Sequence, residues 1–196
     1  MKTIRIASFI ALTSLSLPVI AAVQLPVGWY LEGNGGVTAT SNTDYGAGTT
    51  VSNPGMGYNI NAGYKFMPYF AGELGYTRYA TSKIKFNGTK IASSKQYSVD
   101  LAGKGILPFV DSGFELFAKV GIAGIRSNVS VSDPGTANAI GLKSGTHTHS
   151  GLYLGAGGDY SITPNIPINL QWARAFGDDT TGNVDLYSIG IAYIFD

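Results

Sequence analysis

The side chains of this 196-residue chain that are best suited to metal binding or catalysis are two histidines and a serine. They lie in the segment Thr146-His147-Thr148-His149-Ser150. Alternate residues on a strand edge point the same way, so His147 and His149 could share a metal ion, but no clear third ligand accompanies them. A His–Ser pair could act in hydrolysis. Because His149 and Ser150 are adjacent, a strand would project them to opposite faces. We predict no catalytic residue, no metal site, no cofactor and no enzymatic activity.

Charged residues recur inside apolar runs of the chain, at positions that alternate with the apolar ones. The clearest examples are Glu32, Glu73, Asp100, Lys104, Glu115 and Lys119. Lys65 and Asp159 follow the same pattern. A buried charge needs partners that offset its desolvation, so we predict that these residues form a structural polar network. The alternative is a pathway for protons or ions.

Alternation with a period of two is the main signal along the chain, and no convincing amphipathic helix accompanies it. In the run 57–66, for example, Tyr58, Ile60, Tyr64 and Phe66 alternate with glycine, asparagine and lysine. Eight such runs predict eight strands of roughly 9 to 13 residues, the length with which a tilted strand crosses a bilayer. They lie at 29–37, 57–66, 70–77, 97–105, 115–122, 152–160, 168–172 and 186–195.

The connections between these strands alternate in length. Short turns are predicted around Met67-Pro68, at 108–113 and at Thr163-Pro164-Asn165. The other connections are longer, rich in polar residues, and lie at about 39–55, 79–95, 126–149 and 174–184. Short turns at one end and long loops at the other are typical of an outer-membrane barrel. An even number of strands places both termini of the barrel domain on the periplasmic side.

The placement of charge distinguishes a membrane barrel from a soluble lipocalin or sandwich, which also alternates. The charges fall on the face that carries glycine and asparagine, and the apolar face has almost none at mid-strand. A lysine or arginine facing lipid at the bilayer midplane costs about 2–4 kcal/mol, so the apolar face is predicted to contact lipid. Aromatic residues at strand ends fit an interfacial girdle. A set of these is Tyr64, Phe66, Tyr69, Phe70, Tyr193 and Phe195.

The beginning of the chain has the pattern of a secretory signal. Lys2 and Arg5 precede an uncharged, largely apolar stretch at 6–20, and Ala21-Ala22 offer a cleavage site after either alanine. We predict a signal peptide at 1–22 and a barrel domain at 23–196. The chain has no cysteine, which excludes disulfides and an acylated lipoprotein cysteine. Its net charge of +1 argues against a nucleic-acid partner.

Three arginines, Arg78, Arg126 and Arg174, share the parity of the lipid-facing residues and lie near the loop ends of their strands. An arginine at this height can bind lipopolysaccharide phosphates through charge-assisted hydrogen bonds. Ordinary snorkelling of the side chain to the interface, with no specific lipid, is the alternative.

Several motifs resemble one protein family over the whole mature chain. They are the Phe-Glu-Leu-Phe-Ala-Lys-Val-Gly run at 114–121, the Gly-Ala-Gly-Gly-Asp-Tyr run at 155–160 with Thr163-Pro164-Asn165, and the closing run 187–195. Together they resemble the OmpA transmembrane domain and the opacity-protein and OmpX group of surface antigens. The closing run also resembles the signal that the outer-membrane assembly machinery reads, although Asp196 follows Phe195. Lipid A deacylases are also eight-stranded barrels, but they carry His-x-Ser where this chain has His149-Ser150.

We therefore expect an all-β protein, an eight-stranded antiparallel transmembrane β-barrel in the outer membrane of a Gram-negative bacterium. The expected role is that of a monomeric surface protein, structural or binding host or extracellular ligands through its loops. Its other expected partners are outer-membrane lipids, lipopolysaccharide and the barrel assembly machinery. Alternatives are a narrow pore for ions or small solutes and a lipid A-modifying enzyme.

Overall fold

A computed structural model describes residues 26–41, 49–52, 55–86, 89–109, 112–132, 135, 144–178 and 181–195. The predicted signal segment at 1–22 lies outside these residues. Ten strands are formed by the described residues: β1 (Gly28–Ser41), β2 (Thr49–Ser52), β3 (Gly55–Met67), β4 (Phe70–Arg78), β5 (Ser82–Phe86), β6 (Thr89–Phe109), β7 (Phe114–Val131), β8 (Gly145–Thr163), β9 (Ile166–Ala175) and β10 (Asn183–Ile194). No helix among the described residues is long and apolar enough to cross a membrane.

Eight of these strands close into an antiparallel barrel. Their order around the wall is β1-β3-β4-β6-β7-β8-β9-β10, and β10 pairs with β1 from Tyr30↔Ile194 to Ser41↔Asn183. Each neighbouring pair is consecutive among the eight barrel strands, so the topology is a simple up-and-down meander. The predicted fold class is therefore confirmed.

Side chains alternate strictly between the two faces of the wall. In β3, for example, every residue from Gly57 to Lys65 at odd positions is buried, and Tyr58, Ile60, Ala62, Tyr64 and Phe66 are exposed. Exposed apolar side chains cover the outside of the barrel in this way, and the inside holds polar residues and glycine together with clusters of buried apolar side chains. A face of this composition is stable against lipid and not against water, which is the arrangement of an outer-membrane barrel.

Aromatic side chains ring the end of the barrel where the short turns lie. Trp29 and Tyr64 have ring centroids 5.0 Å apart, and so have Tyr193 and Phe195. Phe109 and Phe114 pair at 5.6 Å. The six girdle residues predicted above are all exposed. Such rings are typical of a membrane–water interface.

The strands extend beyond their predicted limits at the other end, which we call the loop end. β6, β7 and β8 contain 21, 18 and 19 residues, so they occupy much of the predicted loops at 79–95 and 126–149. The predicted strand limits at this end were therefore wrong, because residues 82–86, 89–95, 126–131 and 145–149 belong to strands. The segments beyond the apolar band are rich in serine, threonine and lysine, so they lack the apolar alternation that predicts a membrane-facing strand.

A sheet therefore rises above the barrel on one side. β5 pairs with the first residues of β6, from Ser82↔Ser94 to Phe86↔Thr89, and β2 pairs with β5. β6 continues to pair with β7 up to Ala92↔Val131, and β7 with β8 up to Val129↔Gly145. We call these segments (β2, β5, 89–96, 127–131 and 145–149) the loop-end sheet. On the other side, β4 ends at Arg78 and β9 at Ala175.

Candidate functional site: the closed lumen and the outer wall

Five charged side chains from five strands meet in the middle of the lumen, and we call them the lumen ion cluster. They are Glu32 (β1), Glu73 (β4), Lys104 (β6), Lys119 (β7) and Asp159 (β8). All five are buried. Each occupies an inward position because its strand alternates between the two faces, and its neighbours in sequence are glycine, apolar or aromatic residues on the outward face.

Glu32 accepts the largest number of hydrogen bonds in this cluster. Its Oε1 accepts from Asn34 Nδ2 at 2.7 Å, Asn61 Nδ2 at 2.8 Å and Gln171 Nε2 at 3.3 Å. Lys119 Nζ lies 3.7 Å from the same oxygen, and Lys104 Nζ lies 4.0 Å from Oε2. Three amide donors and two cations offset the cost of burying this carboxylate.

Glu73 joins the two lysines of the cluster. Its Oε2 lies 2.7 Å from Lys119 Nζ, and its Oε1 lies 3.7 Å from Lys104 Nζ and accepts a 2.6 Å hydrogen bond from the Tyr30 hydroxyl. Lys104 Nζ donates to Asp159 Oδ2 at 3.2 Å and lies 4.0 Å from the centroid of the Phe117 ring. The cations are thus held by carboxylates on two or more sides and by an aromatic face.

A second ion pair lies nearer the turn end of the lumen. Lys65 Nζ donates to both carboxylate oxygens of Glu115, at 3.0 and 3.3 Å. Lys65, Glu115, Lys104 and Asp159 contribute to the lining of a cavity of about 30 Å³, which has room for about one water molecule. The polar interior is therefore densely filled at this level.

Asp100 lies in the lumen but apart from the ion pairs. It is buried, and its Oδ1 has no hydrogen-bond partner among the described residues. Its carboxylate lies over Gly75, together with Asn61 Oδ1, and a Cβ at Gly75 would lie 2.5 Å from Asp100 Oδ2 and 2.6 Å from Asn61 Oδ1. The structure thus brings together five of the six residues predicted for the network in ion pairs and leaves Asp100 outside them.

Apolar side chains fill the lumen on both sides of the lumen ion cluster. Toward the turn end, Tyr30, Ile106 and Phe117 form one buried cluster with Ala71 and Ile194. Toward the loop end, a larger buried cluster forms. Its members are Tyr79, Ala102, Ala123, Ile125, Tyr153, Ala173, Ala175, Val184 and Leu186. These two clusters flank the lumen ion cluster, and the Lys65–Glu115 pair lies on the turn side of Tyr30 and Phe117.

The segment after β9 folds over the mouth of the barrel. Gln96 Nε2, from β6, donates to the carbonyl oxygen of Thr181 at 2.5 Å, and both residues are fully buried. Thr181 is held in turn by Asp178, whose Oδ1 accepts from the Thr181 amide at 2.8 Å and from its hydroxyl at 2.9 Å. Because β6 lies across the barrel from β9 and β10, this contact spans the mouth.

Of the three outward arginines, Arg174 is already bound within the protein. Its Nε and Nη2 donate to the two carboxylate oxygens of Asp185 at 2.8 and 2.9 Å, and the Trp172 indole donates to Asp185 Oδ1 at 2.8 Å. Asp185 shares the outward face with Arg174 because the two residues are paired in register. Arg126 is exposed and Arg78 half-buried, and among the described residues neither forms an ion pair.

The two histidines lie on β8 at the loop end. His147 pairs in register with Ser127 and His149 with Ile125, so both lie on the inward face. His149 Nδ1 lies 3.4 Å from Asp178 Oδ2. Ser150 is the next residue of the same strand, and alternation places it on the opposite face. Within the described ranges, no group of three or more His, Cys, Asp or Glu residues could hold a metal ion.

The proposed set omitted several residues that complete the site. Tyr30, Asn34, Asn61 and Gln171 all contact the ion cluster. The alternation of each strand predicts that these residues face the lumen, but nothing in the sequence shows which of the inward residues contact one another. Asp185 could have been found in the same way, since it shares the outward parity of Tyr187.

The closed, lipid-faced wall and the charged, packed lumen define an eight-stranded outer-membrane β-barrel. The chain matches the family described as "Outer membrane protein beta-barrel domain" over residues 7–195, and it belongs to this family. A curated relative from Coxiella burnetii, strain RSA 493 / Nine Mile phase I, called an "Uncharacterized protein", is 28% identical over 191 residues, which cover 82% of this chain and 75% of the relative.

Solved structures of small outer-membrane barrels share this fold. Neisserial surface protein A superposes with a TM-score of 0.63 at 19% identity, covering 86% of this chain and 97% of that one. OprG from Pseudomonas aeruginosa gives 0.59 at 15% identity, covering 88% and 100%. Ail, the attachment invasion locus protein of Yersinia pestis, gives 0.52 at 18% identity, covering 87% and 100%.

Proposed function

We propose that this protein is a monomeric, non-catalytic surface protein of a Gram-negative outer membrane, exported by cleavage of the predicted signal at 1–22. Its barrel is the anchor, and its loop-end sheet and loops contact ligands outside the cell. The observation that carries this proposal is the division of the molecule into a filled lumen and a sheet that rises above one side of the wall. Among the described residues, charged and apolar side chains pack against one another inside the lumen, which supports binding on the external surface instead.

One of the structural relatives supports a role in external binding. Ail has been solved in complex with the heparin analogue sucrose octasulfate, and this structure superposes on the present chain with a TM-score of 0.50 at 16% identity. A contact with host or extracellular ligands is therefore a reasonable role for a barrel of this shape.

A narrow pore is the second candidate, and one wall of the lumen favours it. On β1, β9 and β10, buried polar atoms have no hydrogen-bond partner among the described residues: Asn34 Oδ1, both amide atoms of Asn169, Gln171 Oε1 and Ser188 Oγ. Such groups usually bind internal water. They could line a file of water molecules beside the ion cluster.

Two measurements test the proposal. The first uses the absence of cysteine: a single cysteine is introduced at Thr146, in the loop-end sheet, or at Asn165, in the turn between β8 and β9. On intact cells a membrane-impermeant maleimide should label Thr146→Cys. It should label Asn165→Cys only after the outer membrane is permeabilised. The reverse pattern would contradict the proposed orientation.

The second measurement is a planar-bilayer recording of the refolded protein, after gel electrophoresis with and without boiling has shown a closed barrel. We expect no steady conductance, because apolar clusters fill the lumen on both sides of the lumen ion cluster. A stable unitary conductance would overturn the proposal and support the pore. If the variant Gln171→Leu lost this conductance, the path would run along the polar wall of β1, β9 and β10.

A further inference from the structure

Asp100 differs from the other charged side chains of the lumen, because it forms an ion pair with no described residue. It is buried, and its Oδ1 has no hydrogen-bond partner in the described part of the chain. Two charged side chains act on it from the neighbouring strands, Lys119 of β7 and Glu73 of β4, and they lie 2.7 Å from each other. The phenols of Tyr79 and Tyr153 lie near it as well. The buried oxygen of Asp100 therefore lacks a donor.

The side chain that meets Asp100 is the amide of Asn61, from β3, and it presents an oxygen. Asn61 Oδ1 and both carboxylate oxygens of Asp100 lie within 2.7 Å of a single point, the position that a Cβ of Gly75 would occupy. Like Asp100 Oδ1, Asn61 Oδ1 has no hydrogen-bond partner among the described residues. Two buried acceptors thus converge on one place, and no donor lies between them.

Glu32 fixes the orientation of the Asn61 amide. Asn61 Nδ2 donates to Glu32 Oε1 at 2.8 Å, and the same carboxylate oxygen accepts hydrogen bonds from Asn34 and Gln171. Turning the Asn61 amide around would place its oxygen against a carboxylate, which can only accept. The unpartnered oxygen of Asn61 therefore has to point toward Asp100.

We propose that Asp100 holds a proton in the folded barrel, as a neutral carboxylic acid whose O–H donates to Asn61 Oδ1. An ionised carboxylate only accepts hydrogen bonds, whereas the acid supplies the missing donor. The proton also removes a buried negative charge, since the described lumen contains five carboxylates and three lysines. Burying a charge without a partner is costly. This inference concerns the lumen and does not depend on the role proposed for the external surface.

The site suits a proton better than a metal ion. Calcium takes six to eight oxygen ligands, and magnesium takes about six. The neighbours of Asp100 toward the lumen include Ala102 on β6 and Ala123 on β7, which belong to an apolar cluster and bring no side-chain oxygen. The oxygens of Asp100 and Asn61 already lie against the backbone of Gly75. A proton shared between them needs no further ligand and no further space.

This proton gives the barrel a contribution to stability that falls as the pH rises. Asp100 of the unfolded chain is ionised above about pH 5, so unfolding releases the proton. Stability decreases with rising pH wherever the folded state binds more protons than the unfolded state. Asp100 alone should therefore increase the equilibrium constant for unfolding by up to about tenfold for each pH unit.

The test compares Asp100→Asn with Asp159→Asn in the refolded barrel, and electrophoresis with and without boiling shows whether each variant closes. In Asp100→Asn the new amide can donate to Asn61 Oδ1 in place of the acid. The equilibrium constant for unfolding at pH 7 should therefore stay the same or fall. Asp159→Asn removes an anion whose Oδ2 lies 3.2 Å from Lys104 Nζ, so that constant should rise at least about tenfold. If Asp100→Asn failed to close, or unfolded as readily as Asp159→Asn, the proposal would be wrong.

Infrared difference spectra of the wild type against Asp100→Asn detect the proton directly. At pH 7 the substitution should remove a band of a protonated carboxyl group, one that shifts when the barrel is exchanged into D2O. Loss of a carboxylate band instead would overturn the proposal and indicate a metal ion or a water molecule at the site. Between pH 5 and pH 7, the ratio of the unfolding constants of wild type and Asp100→Asn should rise by up to about tenfold per unit. A ratio that stayed constant would also contradict the proposal.

Discussion

Lys119 Nζ lies 2.7 Å from Glu73 Oε2, although the strands that carry them, β7 and β4, are separated in the wall by β6. The two side chains therefore meet through the lumen and not along the sheet. Lys119 also lies 3.7 Å from Glu32, so it stands between two buried carboxylates. Loss of Lys119 would remove the shortest ion-pair contact of Glu73 and one of the two cations beside Glu32.

The first prediction concerns this lysine. Lys119→Met keeps most of the side-chain volume and removes the charge, which leaves Glu73 and Glu32 poorly compensated. We expect the free energy of unfolding to fall by about 3–5 kcal/mol, the range for breaking a buried ion pair. Urea unfolding of the refolded barrel in lipid vesicles measures it.

Lys95→Met is the control for that experiment, because it removes an exposed lysine from the outside of β6. Its effect should stay within about 0.5 kcal/mol. The double variant Glu73→Gln/Lys119→Met should lose less stability than the sum of the two single variants. If Lys119→Met were as stable as the wild type, the lumen ion cluster would have no part in stability.

A second prediction concerns two glycines of β4, three residues apart. At Gly75 a Cβ would lie within 2.7 Å of both Asp100 carboxylate oxygens, and at Gly72 it would have nothing within 4 Å. Gly75→Ala should therefore destabilise the barrel by about 1–3 kcal/mol, the usual cost of overpacking. Gly72→Ala should have little effect in the same unfolding assay. Similar effects of the two changes would argue against the close packing inside the wall.

The third prediction concerns Asp185 and its hydrogen bonds to Arg174 and Trp172 on the outer wall. Asp185→Ala removes the acceptor of Trp172 and both bonds of Arg174, so we expect a loss of about 1–3 kcal/mol. In a Trp29→Phe background, Trp172 is the only tryptophan, and its emission spectrum should change. Asp185→Asn, which keeps an acceptor for the indole, should give an intermediate effect. An unchanged spectrum in Asp185→Ala would contradict the hydrogen bond to the indole.

A fourth prediction concerns the cover of the mouth. Gln96→Leu removes the donor to the Thr181 carbonyl without opening a large cavity. Residues 176–178 and 181–182 should then exchange their amide hydrogens faster, because this contact fixes them to the far wall. Hydrogen exchange read by mass spectrometry measures the change, and β3 serves as the internal reference. Equal exchange in the two proteins would mean that the bonds of Asp178 hold the segment by themselves.

The sequence predicted the barrel strands and their faces because alternation is a local property. Whether Ile60 faces lipid and Asn61 faces the lumen depends only on their own strand, and the apolar band marks eight such strands. The loop-end sheet escaped prediction because its segments consist mostly of Ser, Thr, Lys and His, with only scattered apolar residues such as Ile84, Ile91 and Val129. Such short runs of mixed composition are hard to distinguish from loops in sequence.

The contacts of the candidate site were beyond sequence reasoning for a different reason. That Glu32 meets Gln171, 139 residues away, depends on the stagger of every strand between them. A shift of two residues in any pair would keep all the faces and change all the partners. The pairing of Arg174 with Asp185 depends in the same way on the register of β9 against β10.

Glu32 also has a consequence for how the barrel is assembled. β1 and β10 are the first and last strands, so their pairing is the seam at which the sheet becomes a cylinder. The Glu32 carboxylate receives Asn61 from one side of that seam and Gln171 from the other. A chain that closes with a shifted β1–β10 register would leave the Glu32 carboxylate inside the membrane without some of these donors. Such a misaligned barrel would be less stable, so its closing strands would separate again and the correct register would be selected.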